Sequence, residues 1–161
     1  MKKVVKFGGS SLANAEQFQK VGDIIRSDES RRYVVPSAPG KRFDEDIKVT
    51  DMLYGCYDAA SKGEDITEKI NAIKARYYEI IKGLGLSLSL EEEFKKIDED
   101  FRAQAGIQYA ASRGEFLNGK IMAAYLGYDF VDAASVIRFD KAGNLEAEAV
   151  SYTHLTLPTT S

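Results

Sequence analysis

The stretch Met1 to Ala13, MKKVVKFGGSSLA, constrains the fold of this chain more than any other. Val4, Val5 and Phe7 form a short apolar run of strand type, which Gly8-Gly9 breaks before Ser10 and Ser11, two residues suited to a helix N-cap. A strand, a tight turn and a helix start follow from that order. Glycines let backbone approach a ligand with no Cβ in the way, and the free N–H groups of a helix start favour an anion. Lys6 adds a mobile positive charge at the end of the strand. The stretch reads as an anion site of phosphate type, with an ordinary strand-to-helix turn as the plainer reading that a short glycine motif leaves open.

Downstream the pattern is that of an α/β fold. Phe18, Val21, Ile24 and Ile25 recur at helical spacing between about Asn14 and Ser27, and Tyr33-Val34-Val35 follows as a second strand. Together they complete a βαβ unit, which is usually parallel and right-handed. Pro36 to Gly40 forms a stiff loop just past that strand, where open parallel sheets place their ligands. Lys41 to Lys48 is charged and aperiodic, which predicts a solvated, mobile loop. Thr50 begins a helix with Met52, Leu53, Cys56, Tyr57 and Ala60 on one face, closed by Lys62-Gly63. Asp65 with Glu68, and Ser89 with Glu92, read as capping boxes for two further helices. Their stripes are Ile66, Ile70, Ile73, Tyr77 and Ile81, then Leu90, Phe94, Ile97 and Phe101. This pair, about residues 65–104, reads as a helical insertion serving core packing. Ile107 to Leu126 forms a longer helix ended by Gly127, in which Ser112 and Glu115 share a face and Gly114 permits close approach. Tyr128 to Val131 reads as a third strand, and Asp140 to Asn144 as a turn.

Composition narrows the function classes. The 161 residues suffice for one domain with a real core. The 22 basic and 25 acidic residues are mixed along the chain, so there is no basic patch, and neither nucleic acid nor a membrane surface is expected as a partner. No apolar run nears the ~20 residues of a bilayer span, and the opening enters a strand rather than a signal-peptide core, so a cytoplasmic location is expected. Cys56 is the only cysteine: no internal disulfide can form, no metal site is expected, and its role reads as buried packing.

Three motifs carry a family resemblance. KFGGSSL resembles the opening KFGGTS-type motif of aspartokinases, within the amino acid kinase family. Tyr33 to Gly40, YVVPSAPG, resembles that family's second strand and substrate loop, and Ser112-Arg113-Gly114-Glu115 resembles its SxGE helix motif. The match runs in the family's order up to about Val150. It implies a three-layer α/β/α fold with a mainly parallel sheet, truncated here, with residues 1–150 as the amino-terminal part of the kinase domain. Residues 151–161, SYTHLTLPTTS, do not continue the pattern and read as an artefactual end; His154 lies there and receives no catalytic role.

The resemblance implies ATP, Mg²⁺ and L-aspartate as ligands, transfer of a phosphoryl group to the aspartate side chain, and homo-oligomers among full-length members. It implies that Lys6 meets the transferred phosphoryl group, that Gly8, Gly9 and Ser10 cradle phosphate oxygens, that Ser37 and Thr50 bind the substrate carboxylates, and that Glu115 receives its ammonium group. Read without the family, Lys6 is equally a solvent-facing lysine, Thr50 a helix cap and Glu115 part of a solvated helix face. Ser10 stands where many members have threonine, and Pro36 and Pro39 stiffen the loop beyond the common pattern. The family's adenine-binding segments, a further substrate arginine and an acidic residue belong to the second half of its kinase domain, so the stretch alone is expected to be inactive or nearly so. The alternatives are another amino acid kinase, such as a glutamate or acetylglutamate kinase, and a non-catalytic amino-acid-binding module.

Overall fold

A computed structural model describes residues 1–132 and the backbone of 156–158. The expected turn at Asp140 to Asn144, and His154, lie outside the described residues. Strand β1 (Lys3–Phe7) pairs in parallel with β2 (Arg31–Pro36), with Val5 opposite Val34 and Phe7 opposite Pro36. Between them runs α1 (Ala15–Arg26), so the expected βαβ unit is present. Strand β3 (Tyr128–Phe130) and strand β4 (Thr156–Pro158) complete a four-stranded sheet of order β1-β2-β4-β3. β4 is antiparallel to both neighbours, so β1, β2 and β3 share one direction.

Helices α1 and the one from Ile107 begin where the reading placed them, but three expected caps differ. Ser10 and Ser11 do not cap α1: a turn of 3-10 helix, Gly9–Leu12, comes first, and Asn14 is the cap, its Oδ1 accepting the Gln17 N–H at 2.9 Å. Neither expected capping box forms. Asp65 instead accepts both the Thr67 N–H and its hydroxyl, and the Ser89 Oγ only reaches the Glu91 N–H at 3.4 Å. A capping box requires the side chain to stand at the residue flanking the first turn. Here Ile66 and Leu90 hold those positions, before α3 (Thr67–Gly83) and α4 (Glu91–Arg102). The other ends follow the reading: α2 (Val49–Ser61) closes towards Gly63, and α5 (Ile107–Leu126) stops at Gly127 in the left-handed region, φ 73°.

One core joins these elements. Phe18, Val21 and Ile25 of α1, Leu53 and Cys56 of α2, Ile66 with the four stripe residues of α3, and Leu90 with the three of α4 are buried together with Val34 of β2 and Leu117 and Ile121 of α5. Burial of that many aliphatic and aromatic side chains is the dominant favourable term for a domain of this size. Strand alternation puts Val5 and Phe7 on this core side, and Val4 and Lys6 on the other, where Val4 is 64% exposed. Gly119 of α5 lets the helix settle on the sheet edge: a Cβ there would lie 2.9 Å from the Phe130 ring. Phe130 and Phe116 meet edge-on with centroids 5.6 Å apart.

Candidate active site

At the carboxyl ends of β1 and β2 two turns are pressed together. The Gly40 N–H donates to the Gly9 carbonyl at 2.8 Å, and the Ser37 N–H donates to the Phe7 carbonyl at 3.0 Å. The approach is so close that side chains are excluded. A Cβ on Gly40 would stand 2.6 Å from the Gly9 carbonyl carbon, and one on Gly9 would stand 2.8 Å from the Ala38 carbonyl oxygen. Gly8 differs, since a Cβ there meets nothing within 4 Å. Only the second glycine of the pair is demanded by packing; the open space at the first leaves its backbone accessible.

The long helix closes the same edge from the core side. Gly114 of α5 packs on Ala38, whose Cβ would lie 2.7 Å from a Cβ at position 114. The Tyr77 hydroxyl donates to the Gly114 carbonyl at 2.8 Å, and burial, with Glu115 adding to it, pushes that phenol far above its ordinary range, so it stays a donor. Asn118, fully buried one turn further on, donates its Nδ2 to the Ser37 carbonyl at 2.7 Å, while its Oδ1 finds no partner among the described residues. The start of α2 is tied to the loop as well: the Val49 N–H donates to the Pro39 carbonyl at 3.0 Å.

The structure thus gathers Gly9, Ser37 and the start of α2 at one edge, and sets Glu115 beside Gly114 on the helix that covers it. Thr50 is the second residue of α2, which Lys48 caps without a side-chain bond, so the helix-cap alternative for its hydroxyl is not realised. Ser10 and Gly8 are exposed, and Ser37, Thr50 and Glu115 half-buried. Lys6 is one residue before the Ser37 contact at Phe7, but its side chain leaves the sheet on the face away from α5. The Ser112 hydroxyl is used within its own helix, donating to the Tyr109 carbonyl at 2.7 Å.

The loop at 41–48 is solvated as its charge suggested, with every residue but Asp46 exposed, yet it is tied down at two points. Arg42 binds Asp46 at 2.7 Å through Nε, and that bond, ahead of the neighbouring backbone donors and Arg76, holds the Asp46 carboxyl well below the usual carboxylate range. Beneath the loop lies Arg76 of α3, 4% exposed, donating to the Gly40 carbonyl at 2.7 Å and the Ile47 carbonyl at 2.8 Å. Arg76 and Asn118 were missed from sequence. The signal was present in helical spacing, because Arg76 stands three residues after Ile73 and four before Ile80, and Asn118 three before Ile121, so both project from apolar faces. A separate groove of about 430 Å³ between α3 and α4, crossed by the Lys74–Glu91 pair at 3.0 Å, holds none of these residues.

These features define an α/β domain whose glycine turn and 37–40 loop meet at the carboxyl ends of its parallel strands, the edge where open sheets of this kind place their ligands. The chain belongs to the amino acid kinase family, whose profile matches residues 1–155. It is 36% identical over 168 residues to aspartokinase 3 of Bacillus subtilis, across 95% of this chain and 37% of that protein. It is 29% identical over 147 residues to the chloroplastic aspartokinase 1 of Arabidopsis thaliana, across 85% of this chain and 25% of that one. Its fold superposes on the aspartate kinase of Clostridium acetobutylicum with a TM-score of 0.87 at 44% identity, covering 94% of this chain and 36% of the other. Escherichia coli aspartokinase III, solved with aspartate and ADP, shares the fold with a TM-score of 0.70 at 24% identity, over 94% of this chain and 36% of that one. The chain spans between a quarter and two-fifths of the length of these relatives.

Proposed function

We propose that this chain is the amino-terminal part of an aspartate kinase, the part that grips the amino acid and presents the phosphate turn. The observation that carries the reading is the Gly9–Gly40 contact, which places the glycine turn and the 37–40 loop side by side at the ligand edge of the sheet. Similarity to proteins named aspartokinases supports aspartate, rather than glutamate or acetylglutamate, as the acceptor.

The chemistry suits these residues. The acceptor carboxylate has an ordinary pKa of ~3.9 and is ionised at neutral pH, so attack on the γ-phosphoryl group of ATP needs no general base. Catalysis then rests on holding two anions in line and offsetting charge as it shifts to the leaving group. Lys6 and the free backbone N–H groups around Gly8, Gly9 and Ser10 serve the phosphoryl side. Ser37 and Thr50 offer hydroxyls to the carboxylates, and Glu115 a charge-assisted bond to the ammonium group. The product is 4-phospho-L-aspartate. Mg²⁺ would come to the site on the ATP phosphates and offset the charge on the transferred group. A cytoplasmic enzyme, homo-oligomeric at full length, fits the reading, and no helix among the described residues is long and apolar enough to cross a membrane.

Titration calorimetry on the chain tests this. L-aspartate should give a binding isotherm that L-glutamate does not match, and Glu115→Gln should weaken it at least tenfold. A folded chain that gives no heat with L-aspartate refutes the reading. ADP release in the presence of aspartate and ATP–Mg should stay at background, and robust turnover would show that this part alone completes the site.

A further inference from the structure

Arg76 is the one arginine among the described residues that is almost wholly buried while its fork reaches three separate segments. Nη2 donates to the Gly40 carbonyl at 2.7 Å and reaches the Ala13 carbonyl at 3.5 Å, just after the glycine turn. Nη1 donates to the Ile47 carbonyl at 2.8 Å and stands 3.5 Å from Asp46 Oδ2, a carboxylate that is itself 9% exposed and gripped by Arg42. The Gly40 peptide is therefore held on both sides, its N–H by Gly9 and its carbonyl by Arg76. Burying a guanidinium is costly, and a position on an apolar helix face is filled more cheaply by leucine or methionine. A planar fork with several donors, unlike an ammonium, spans two carbonyls at fixed separation.

We propose that Arg76 is a positioning residue of the phosphoryl-transfer site: from the helical pair about 65–104 it locks the glycine turn, the 37–40 loop and the 41–48 loop into one unit. The inference rests on the reading of those first two segments as phosphate and amino-acid binding elements. It gives α3 a part in the site, beyond packing, through a group that touches neither substrate.

Backbone hydrogen exchange on the chain, followed by NMR, tests the lock. In Arg76→Lys, which keeps the charge but loses the fork, the Gly40 and Val49 amides should exchange at least tenfold faster, with the Leu117 amide within twofold of the parent chain. L-aspartate affinity should fall at least tenfold in the same variant, so the conservative replacement does not rescue. Should Arg76→Lys fail to fold, ¹⁵N-arginine spectra of the parent chain decide: the fork predicts separately resolved, slowly exchanging Nη resonances for Arg76. Gly40 and Val49 amides unchanged in a folded Arg76→Lys, or one averaged Nη signal in the parent chain, would overturn the proposal. If the parent chain binds no aspartate, the functional reading fails, while the exchange and Nη data still judge the lock.

Discussion

Replacing Gly40 by alanine should loosen the ligand edge without unfolding the domain. The added Cβ would meet the Gly9 carbonyl carbon at 2.6 Å, the Ser10 nitrogen at 2.8 Å and the Gly9 oxygen at 2.9 Å, all backbone atoms with no rotamer to change. Restoring ordinary contact, from 2.6 to at least 3.4 Å, requires the turns to part by about 0.8 Å. That separation breaks the 2.8 Å bond from the Gly40 N–H to the Gly9 carbonyl. Overpacking costs about 1–3 kcal/mol and the lost bond about 1 kcal/mol, while the stiffer unfolded chain returns about 0.4–1 kcal/mol. The net loss is about 1–4 kcal/mol, or roughly 2–14 °C in Tm for a domain of this size. Urea unfolding followed by circular dichroism measures it, with L-aspartate affinity as a second readout. A variant as stable as the parent chain would show that the two turns are not in van der Waals contact, and the reasoning on the site would fall with it.

Four further outcomes follow from the same geometry. Gly55→Ala, on the exposed side of α2 where a Cβ meets nothing within 4 Å, should raise stability by about 0.5–1 kcal/mol in the same urea assay. Burial pushes the Cys56 thiol up to about 11, so Ellman's reagent at pH 8 should leave the folded chain unlabelled over minutes and label one thiol per chain in urea. Because Asp46 is held below its unfolded value of about 3.9, its contribution is present above that pH and lost as pH falls further; the stability of Asp46→Asn should fall less steeply below about pH 4 than that of the parent chain. Asn118→Asp would set a buried carboxylate against the Ser37 carbonyl and should cost about 2–4 kcal/mol at pH 7, with part recovered on acidification.

The periodic elements were legible because their signals are local. Gly106 and Gly127 bracket α5 in sequence as they do in space, and the isoleucine stripe of α3 and the Leu90–Phe101 stripe are buried as their spacing required. The capping boxes were not, since Asp65 and Ser89 stand one residue before the cap positions, which Ile66 and Leu90 hold without a side-chain bond. The tethering of the 41–48 loop was unseen for a different reason. Its order comes from Arg76, 29 residues beyond Ile47, and composition carries no record of a partner at that distance. The site was half visible: the glycine turn and the Ser37 loop announce themselves by residue type, whereas Arg76 and Asn118 act from inside helices that otherwise look like packing.

Because the Gly40 peptide is shared by both turns, the two halves of the proposed reaction cannot be tuned separately. Lengthening or reshaping 37–40 to admit a bulkier acceptor would drag the donor cradle at Gly9 out of line, so a change of acceptor preference by substitution there should lower turnover for every acceptor tried. Retuning that respects the seam would have to enter from α2 or α5, which carry Thr50 and Glu115, the proposed acceptor contacts that lie outside it.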